Sequence, residues 1–256
     1  ARKRFESVLV ADPKNVTAPL ARAKLTAPTG GKPEDALALI NKAVSSNPTE
    51  LAPRLALIEF QLASKEPKKA ATAAQEALAA IPDKPELLDA AGRAQMQAGD
   101  TNQALATYAK LAALQPTSPL ADLRTAEIQF ASKNNEEAAK SLRKALTIKP
   151  GLLEAQRNLI LVYIAAGKPK DALAEAREVK KQRPKEAVGY VLEGDIQASQ
   201  KQWPEAVSAF RSGLKQAPST ELAVRLHKAL LASQNAGEAD KAASEWIKAH
   251  PKDVAF

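Results

Sequence analysis

The stretch GLLEAQRNLILVYIAAGKPKDALAEAREVKKQRP, residues 151–184, decides how the chain is read. Apolar residues fall at Leu152, Ala155, Leu159, Val162, Tyr163 and Ala166, the three-and-four spacing of one buried helix face. Gly167 breaks that helix, and Lys168-Pro169 turns the chain. Pro169 can open a second helix, because the first helical position needs no amide hydrogen. The second helix carries Ala172, Leu173, Ala176 and Val179 on one face and stops at Pro184, which cannot continue it. The unit is a hairpin of two helices, each ~14 residues or ~20 Å long.

The hairpin recurs along the chain. Its closing proline appears at Pro13, Pro48, Pro82, Pro116, Pro150, Pro184, Pro218 and Pro251, with a first step of 35 residues, five of 34 and a last of 33. A fixed period of this size means an array of stacked units. One hairpin cannot bury its apolar face alone, and neighbours bury it jointly, so the chain is expected to form an α-solenoid.

The repeats are 14–48, 49–82, 83–116, 117–150, 151–184, 185–218 and 219–251. Residues 1–13 read as the second helix of a further hairpin, as if a first helix and its upstream sequence had been removed, and 252–256 read as the approach to another helix. The first full repeat is the least regular, with a short first helix from Thr17 to Leu25, and its extra residue is expected in the turn at 26–31, where Pro28 and a Gly pair follow. The residue missing from the last repeat is expected near 235–237.

Aligned on the prolines, Ala recurs in the first turn of the second helix: Ala36, Ala70, Ala104, Ala138, Ala172, Ala206 and Ala239. Only a methyl fits where two helices approach closely. Four residues on lies a core position of variable size: Ile40, Ala74, Tyr108, Leu142, Ala176, Phe210 and Ala243. The middle of the first helix carries Ile58, Gly92, Ala126, Ile160 and Gly194. Gly99 and Gly167 supply turns between helices, and Lys65, Lys133 and Lys201 replace them in other repeats.

On these residues the chain resembles the tetratricopeptide repeat (TPR) family over almost its whole length. The family's 34-residue pattern is matched by Leu159, Tyr163, Gly167, Ala172, Ala176, Val179 and Pro184, and again by Gly194, Ala206, Phe210, Gly213 and Pro218. The opening Trp of the family motif is missing from every unit, Tyr190 being the nearest substitute. The resemblance implies an all-α, right-handed superhelix of antiparallel hairpins forming one array over residues 1–256. The phrases GDTNQALATYAKLAALQP and QRPKEAVGYVLEGDIQASQKQWPEA are also similar to the PrsT-type TPR lipoproteins of PEP-CTERM/exosortase systems. That narrower resemblance implies a cell-envelope location, in the periplasm or as an outer-membrane lipoprotein, beside exopolysaccharide and protein-sorting loci. It brings no catalytic residues.

Composition narrows the chemistry. There are no cysteines among 256 residues, which excludes disulfides, thiolate catalysis and Cys-ligated zinc. Hydrophobic residues make up 45% and are periodic, so the chain is not disordered. The longest apolar run, Leu159 to Ala166, is far short of the ~20 residues of a membrane helix. There is no Gly-rich phosphate loop, no GxSxG and no HExxH. His227, near the mid-helix packing position, and His250, at a helix C-terminus before Pro251, are in unlike places and read as structural. No enzyme activity, cofactor or metal site is expected.

The candidate site is therefore a surface. In TPR proteins the first helix of each unit lines the inside of the superhelix. Carried over by position, this gives Leu55, Glu59, Asp89, Arg93 and Met96, then Leu123, Glu127 and Phe130, and then Arg157, Leu161, Ile164, Val191 and Asp195. A groove of apolar residues among both charges suits a peptide or protein partner. Met96, Phe130, Leu161 and Ile164 are the apolar residues expected to be exposed. The Lys/Asn clamp with which some TPR domains hold a C-terminal carboxylate is absent, Arg157 and Asn158 being its only hint. Trp203, at a turn, and Trp246, on the last second helix, match bulky packing positions of the family.

A second reading follows from charge. The net charge is +8, and Lys168 to Lys185 carries seven Lys/Arg against three Asp/Glu on a turn and a second helix. Such a patch reads either as a solvated helix face or as a surface for a polyanion or nucleic acid. Nucleic acid is the weaker partner, because aromatic residues for stacking make up only 4%. The favoured function is a non-enzymatic, monomeric interaction scaffold, whose cut ends could pair copies in a crystal.

Overall fold

The computed structural model describes residues 15–26, 31–253 and 255–256 of the chain. The expected helix at 1–13 lies outside them, as does most of the turn at 27–30. Among the described residues there are fourteen helices and no strand. They run α1 (Thr17–Thr26), α2 (Pro33–Ser46), α3 (Leu51–Ala63), α4 (Pro67–Ala80), α5 (Pro85–Ala98), α6 (Thr101–Leu114) and α7 (Leu120–Ala131). They continue as α8 (Asn135–Ile148), α9 (Leu153–Ala165), α10 (Pro169–Gln182), α11 (Ala187–Ser199), α12 (Trp203–Gln216), α13 (Thr220–Ala232) and α14 (Ala236–Ala249). Odd-numbered helices are the first members of the hairpins and even-numbered helices the second.

The chain divides into two compact units, Ala1–Ile128 and Gln129–Phe256. Within the first, each helix from α1 to α6 packs on its neighbour in sequence; within the second, each from α9 to α14 does the same, and α8 packs on α9. First helices of adjacent repeats also touch directly, α3 on α5 and α11 on α13. Each unit is a stack of antiparallel hairpins, the architecture of an all-α solenoid.

Two backbone devices set the period. The turn from first to second helix passes through a residue of positive φ: Lys65, Gly99, Lys133, Gly167, Lys201 and Gln234, all with φ between 59° and 89°. At Gly99 the amide donates to the Met96 carbonyl at 3.1 Å and the next amide, Asp100, to the Gln95 carbonyl at 2.8 Å. That doubled bond is a left-handed helix stop, and the same pair recurs at Lys133–Asn134, with donors to Phe130 and Gln129. The second device is the closing proline. The residue before it, Asn47, Ile81, Gln115, Lys149, Arg183, Ala217 or His250, has φ between −128° and −143°. A following proline excludes helical geometry there, so every second helix ends at the same place.

The alanine ladder does what its spacing predicts. Ala70, Ala104, Ala138, Ala172, Ala206 and Ala239 have no exposed surface. The two variable positions are complementary in size. A side chain on Gly92 would run into the ring of Tyr108, and one on Gly194 into that of Phe210. Where the first helix carries Ile58 or Ile160, the second carries Ala74 or Ala176. Each repeat thus divides one volume between two positions, as close packing requires.

The deletion in the last repeat falls elsewhere than expected. Leu222, Leu226, Ala229 and Leu230 are buried in α13 as Gly189, Glu193, Ile196 and Gln197 are in α11, already in the shortened register. The missing residue therefore precedes α13, between Pro218 and Thr220, and not near 235–237. The loop can be short because Ser219 caps the helix itself, its hydroxyl accepting from the Leu222 amide at 3.3 Å.

Candidate binding face on the first helices

Direct packing brings the open faces of α3 and α5, and of α11 and α13, side by side, and ion pairs tie them there. In the first unit a ladder runs across α3, α5 and α7. The Arg93 guanidinium donates to Glu59 on α3 and, at 3.1 Å, to Asp89 on its own helix. Arg124 on α7 lies 3.5 Å from the other Asp89 oxygen and donates to Glu127 at 3.0 Å. Arg93 is held above its ordinary pKa, by the hydrogen bond to Glu59 first of all. Burial works against the charge on Arg124, and the Glu127 hydrogen bond and the Glu127 and Asp89 charges more than offset it. Beneath the ladder the Tyr108 hydroxyl donates to the Asp89 carbonyl at 3.3 Å, and burial pushes that phenol well above its usual range. Glu59, Asp89, Arg93 and Glu127 are thus brought together and their charges are paired within the ladder, although Asp89 Oδ1 and Arg124 Nε make no hydrogen bond.

The apolar members of the first unit are largely withdrawn. Leu55 packs against the cluster around Ile58 and Ala74, and Met96 against that around Tyr108 and Leu111. Leu123 is 6% exposed and leaves the candidate face, because the first turn of α7 is covered all round: Ala121 and Asp122 beside it are buried as well.

The second unit differs. On α9, Leu161 is 52% exposed and Ile164 40%, with exposed Arg157 one turn before them. Arg157 makes no ion pair or hydrogen bond to another described residue. Phe130 is half-buried at the end of α7. On α11, Asp195 accepts from Arg225 of α13 at 2.7 Å, and Arg225 also donates to Glu221 at 3.1 Å. Burial raises the Asp195 pKa, and the Arg225 charge opposes that rise. Val191 is 7% exposed and belongs to the core around Phe210 and Leu222, so it too leaves the face. The cause is local: Gly189 lets α11 approach the backbone of Lys180 so closely that a side chain there would overlap it, sinking the first turn of α11.

Some members were not apparent from the sequence alone. Arg124 and Arg225 complete the ion pairs, and Lys228 and Leu231 add an exposed cation and a 47% exposed apolar residue on α13. A period was available to find Leu231. Leu62, Met96, Phe130, Ile164, Ala198 and Leu231 hold one register position in successive first helices.

The basic stretch is mostly structural. Arg177 and Lys180 both donate to Glu193, which is 7% exposed at the α10–α11 seam. Arg183 donates to the Gly151 carbonyl and, at 3.2 Å, to Gln156 Oε1, and Lys168 to Glu136 at 3.4 Å. A buried carboxylate needs such partners, so Arg177 and Lys180 are committed to Glu193, whereas the Lys168 pair with exposed Glu136 lies at the surface. Two clefts, about 280 Å³ between α4 and α5 beside Lys68, Thr72 and Asp100 and about 200 Å³ between α8 and α9 beside Glu136, Lys140 and Lys168, occupy equivalent repeat positions and are products of the stacking. The histidines pack structurally: His227 Nδ1 donates to the Ala239 carbonyl at 3.1 Å, and the His250 ring stacks 3.8 Å from Trp246. Among the described residues no group of three or more His, Cys, Asp or Glu side chains converges as a metal site would, and no helix is long and apolar enough to cross a membrane.

Family models for the tetratricopeptide repeat match residues 30–95, 90–152 and 129–192, a continuous run over more than half of the chain. The chain belongs to the tetratricopeptide repeat family. Solved TPR folds agree. A tetratricopeptide repeat protein from Parabacteroides merdae superposes with a TM-score of 0.58 at 16% identity, over 90% of this chain and 92% of that one. Human IFIT1, solved as a dimer with m7Gppp-AAAA, gives 0.55 at 19% identity, over 95% and 66%. YrrB, described as a TPR protein with an unusual peptide-binding site, gives 0.50 at 16% identity, over 74% and 97%. At these identities the likeness is one of fold. No curated protein sequence matches the chain.

Proposed function

We propose that this TPR array is a non-enzymatic scaffold that holds a protein or peptide partner against its first helices. The observation that carries the reading is the α9 face, where Leu161 and Ile164 stand exposed beside an unengaged Arg157. Large apolar side chains left in water next to each other and to an uncommitted charge are the usual mark of a contact surface. The peptide-binding site of YrrB, a protein of the same fold, is consistent with this reading. The process proposed is assembly or sorting in the cell envelope, in a PEP-CTERM/exosortase context, and it rests on the resemblance of residues 99–116 and 182–206 to PrsT-type lipoproteins.

The polyanion reading is second, and the one observation in its favour is that three exposed cations, Lys170, Lys181 and Lys185, are left uncommitted along the basic stretch. The chain has no cysteine, so single cysteines can carry a photo-crosslinker. Placed at Leu161 and at Ile164, the probe should join one discrete partner in an extract of the source organism. Placed at exposed Lys110 or Lys215 on second helices, it should not. Equal labelling from all four positions, or none from the first two, refutes the reading.

A further inference from the structure

We propose that recognition is confined to the second unit and that its occupant is an acidic peptide segment bearing large apolar side chains. The inference rests on the binding role argued above and names the partner's chemistry.

It follows from a contrast between two sets of equivalent positions. Glu59, Arg93, Glu127, Leu161, Asp195 and Lys228 occupy one register of the first helices. In the first unit these residues are consumed by the ladder: Arg93 serves Glu59 and Asp89, and Arg124 serves Asp89 and Glu127. A partner binding there would have to displace paired charges and would gain little for each. In the second unit the register opens with Leu161, its only anion, Asp195, is taken by Arg225, and its cation Lys228 is exposed. Arg157 precedes Leu161 by one turn and is also unengaged.

The neighbouring register repeats the contrast. Leu62 and Met96 are half-buried in the first unit, whereas Ile164 and Leu231 are 40% and 47% exposed in the second. Leu161, Ile164 and Leu231 are three of the four exposed large hydrophobic residues described in this unit, and all three lie on first helices. Glu154, the one uncommitted acid of α9, stands in its first turn, a further turn from the apolar pair, where the helix dipole favours it. The charges left over beside the apolar residues are cations, so the complementary segment is apolar and acidic.

The test uses the whole chain as bait for a displayed library of random 16-residue peptides. Selected peptides should carry at least two large apolar residues and a clear excess of Asp and Glu. Their affinity should fall at least tenfold with Leu161→Ser and Ile164→Ser, about threefold or more with Arg157→Gln, and further with added salt. Glu59→Gln in the first unit should leave binding within twofold. Circular dichroism should show every variant folded, since the altered side chains are exposed. Selected peptides that are neutral or basic but still lost with Leu161→Ser would overturn the charge assignment and leave the scaffold reading standing. No enrichment, or binding indifferent to Leu161 and Ile164, would overturn both. A chain that sediments as a dimer and becomes monomeric with Leu161→Ser would assign the face to a second copy instead.

Discussion

The hydroxyl of Thr107 on α6 donates to Gln95 Oε1 on α5 at 2.8 Å, in a contact where both side chains are more than 90% buried. Twelve residues separate them, and the same offset joins Ser141 to Gln129 at 2.8 Å in another repeat. Two further repeats keep the glutamine and lack the hydroxyl. Gln61 and Gln197 face the register of Ala73 and Ala209, and their Oε1 atoms are buried with no hydrogen-bond partner among the described residues. An orphaned buried acceptor costs about 1–3 kcal/mol, and a hydrogen bond restores about 1. Ala209→Ser and Ala73→Ser should each stabilise the chain by ~1 kcal/mol, and Thr107→Val should destabilise it by ~1–3. Thermal unfolding followed by circular dichroism measures all three.

The paired sizes at the hairpin core give a second prediction. Gly194→Ala places a methyl where the Phe210 ring stands, and overpacking of this kind costs ~1–3 kcal/mol. Adding Phe210→Leu should recover most of that loss, because Ala126 and Leu142 carry this combination in another repeat. A double variant no more stable than the single one would show that the two positions do not share one volume.

The turn residues give a third. Lys133 and Lys201 hold φ of 61° and 60°, a conformation that strains a side chain and not a glycine. Their equivalents are Gly99 and Gly167. Lys133→Gly and Lys201→Gly should each raise stability by ~0.5–1 kcal/mol, the relief of strain exceeding the added freedom of the unfolded chain. Gly167→Ala should lower it by a similar amount.

The fourth concerns pH. Asp253 Oδ2 accepts from Thr220 Oγ1 at 2.7 Å and from Trp246 Nε1 at 2.8 Å, and these bonds, in that order, hold its carboxyl below the usual aspartate value. A lowered folded pKa gives stability that is present above the unfolded value of ~3.9 and lost as pH falls through the folded one. In a Trp203→Phe, His250→Gln background, Trp246 emission should therefore change only below pH ~4, and Asp253→Asn should abolish that step.

The last concerns the ladder. Arg93→Ala would leave Glu59, Asp89 and Glu127 with Arg124 alone. It should lower stability at low ionic strength and less in 1 M salt, where the Debye length is only ~3 Å. A loss independent of salt would mean that packing of the arginine stem matters more than its charge.

Much of this protein was settled by periodicity along one dimension. Proline before each break, alanine twelve residues earlier and a left-handed turn between are local facts, and local sterics enforce them in every repeat. They fix hairpins, their register and the helices that stack, and so the TPR fold. The choice of first helices as the candidate face came from the resemblance to the TPR family, carried over by position in the repeat. What one dimension could not show is which residues on that face are already taken. Leu123 and Val191 share a register with Arg157, yet close approach at Gly189 and the covered first turn of α7 bury them. Arg93 and Glu127 read as contacts, but Glu59, Asp89 and Arg124 meet them first across three helices. Arg177 and Lys180 read as a basic patch, but Glu193 lies buried beneath them. Burial and pairing depend on distances between residues from 9 (Gly189 and Lys180) to 35 (Asp89 and Arg124) apart in sequence, which packing sets and a repeat pattern leaves open. The tertiary structure alone therefore separates the charge-paired face of the first unit from the open surfaces of α9 and α13.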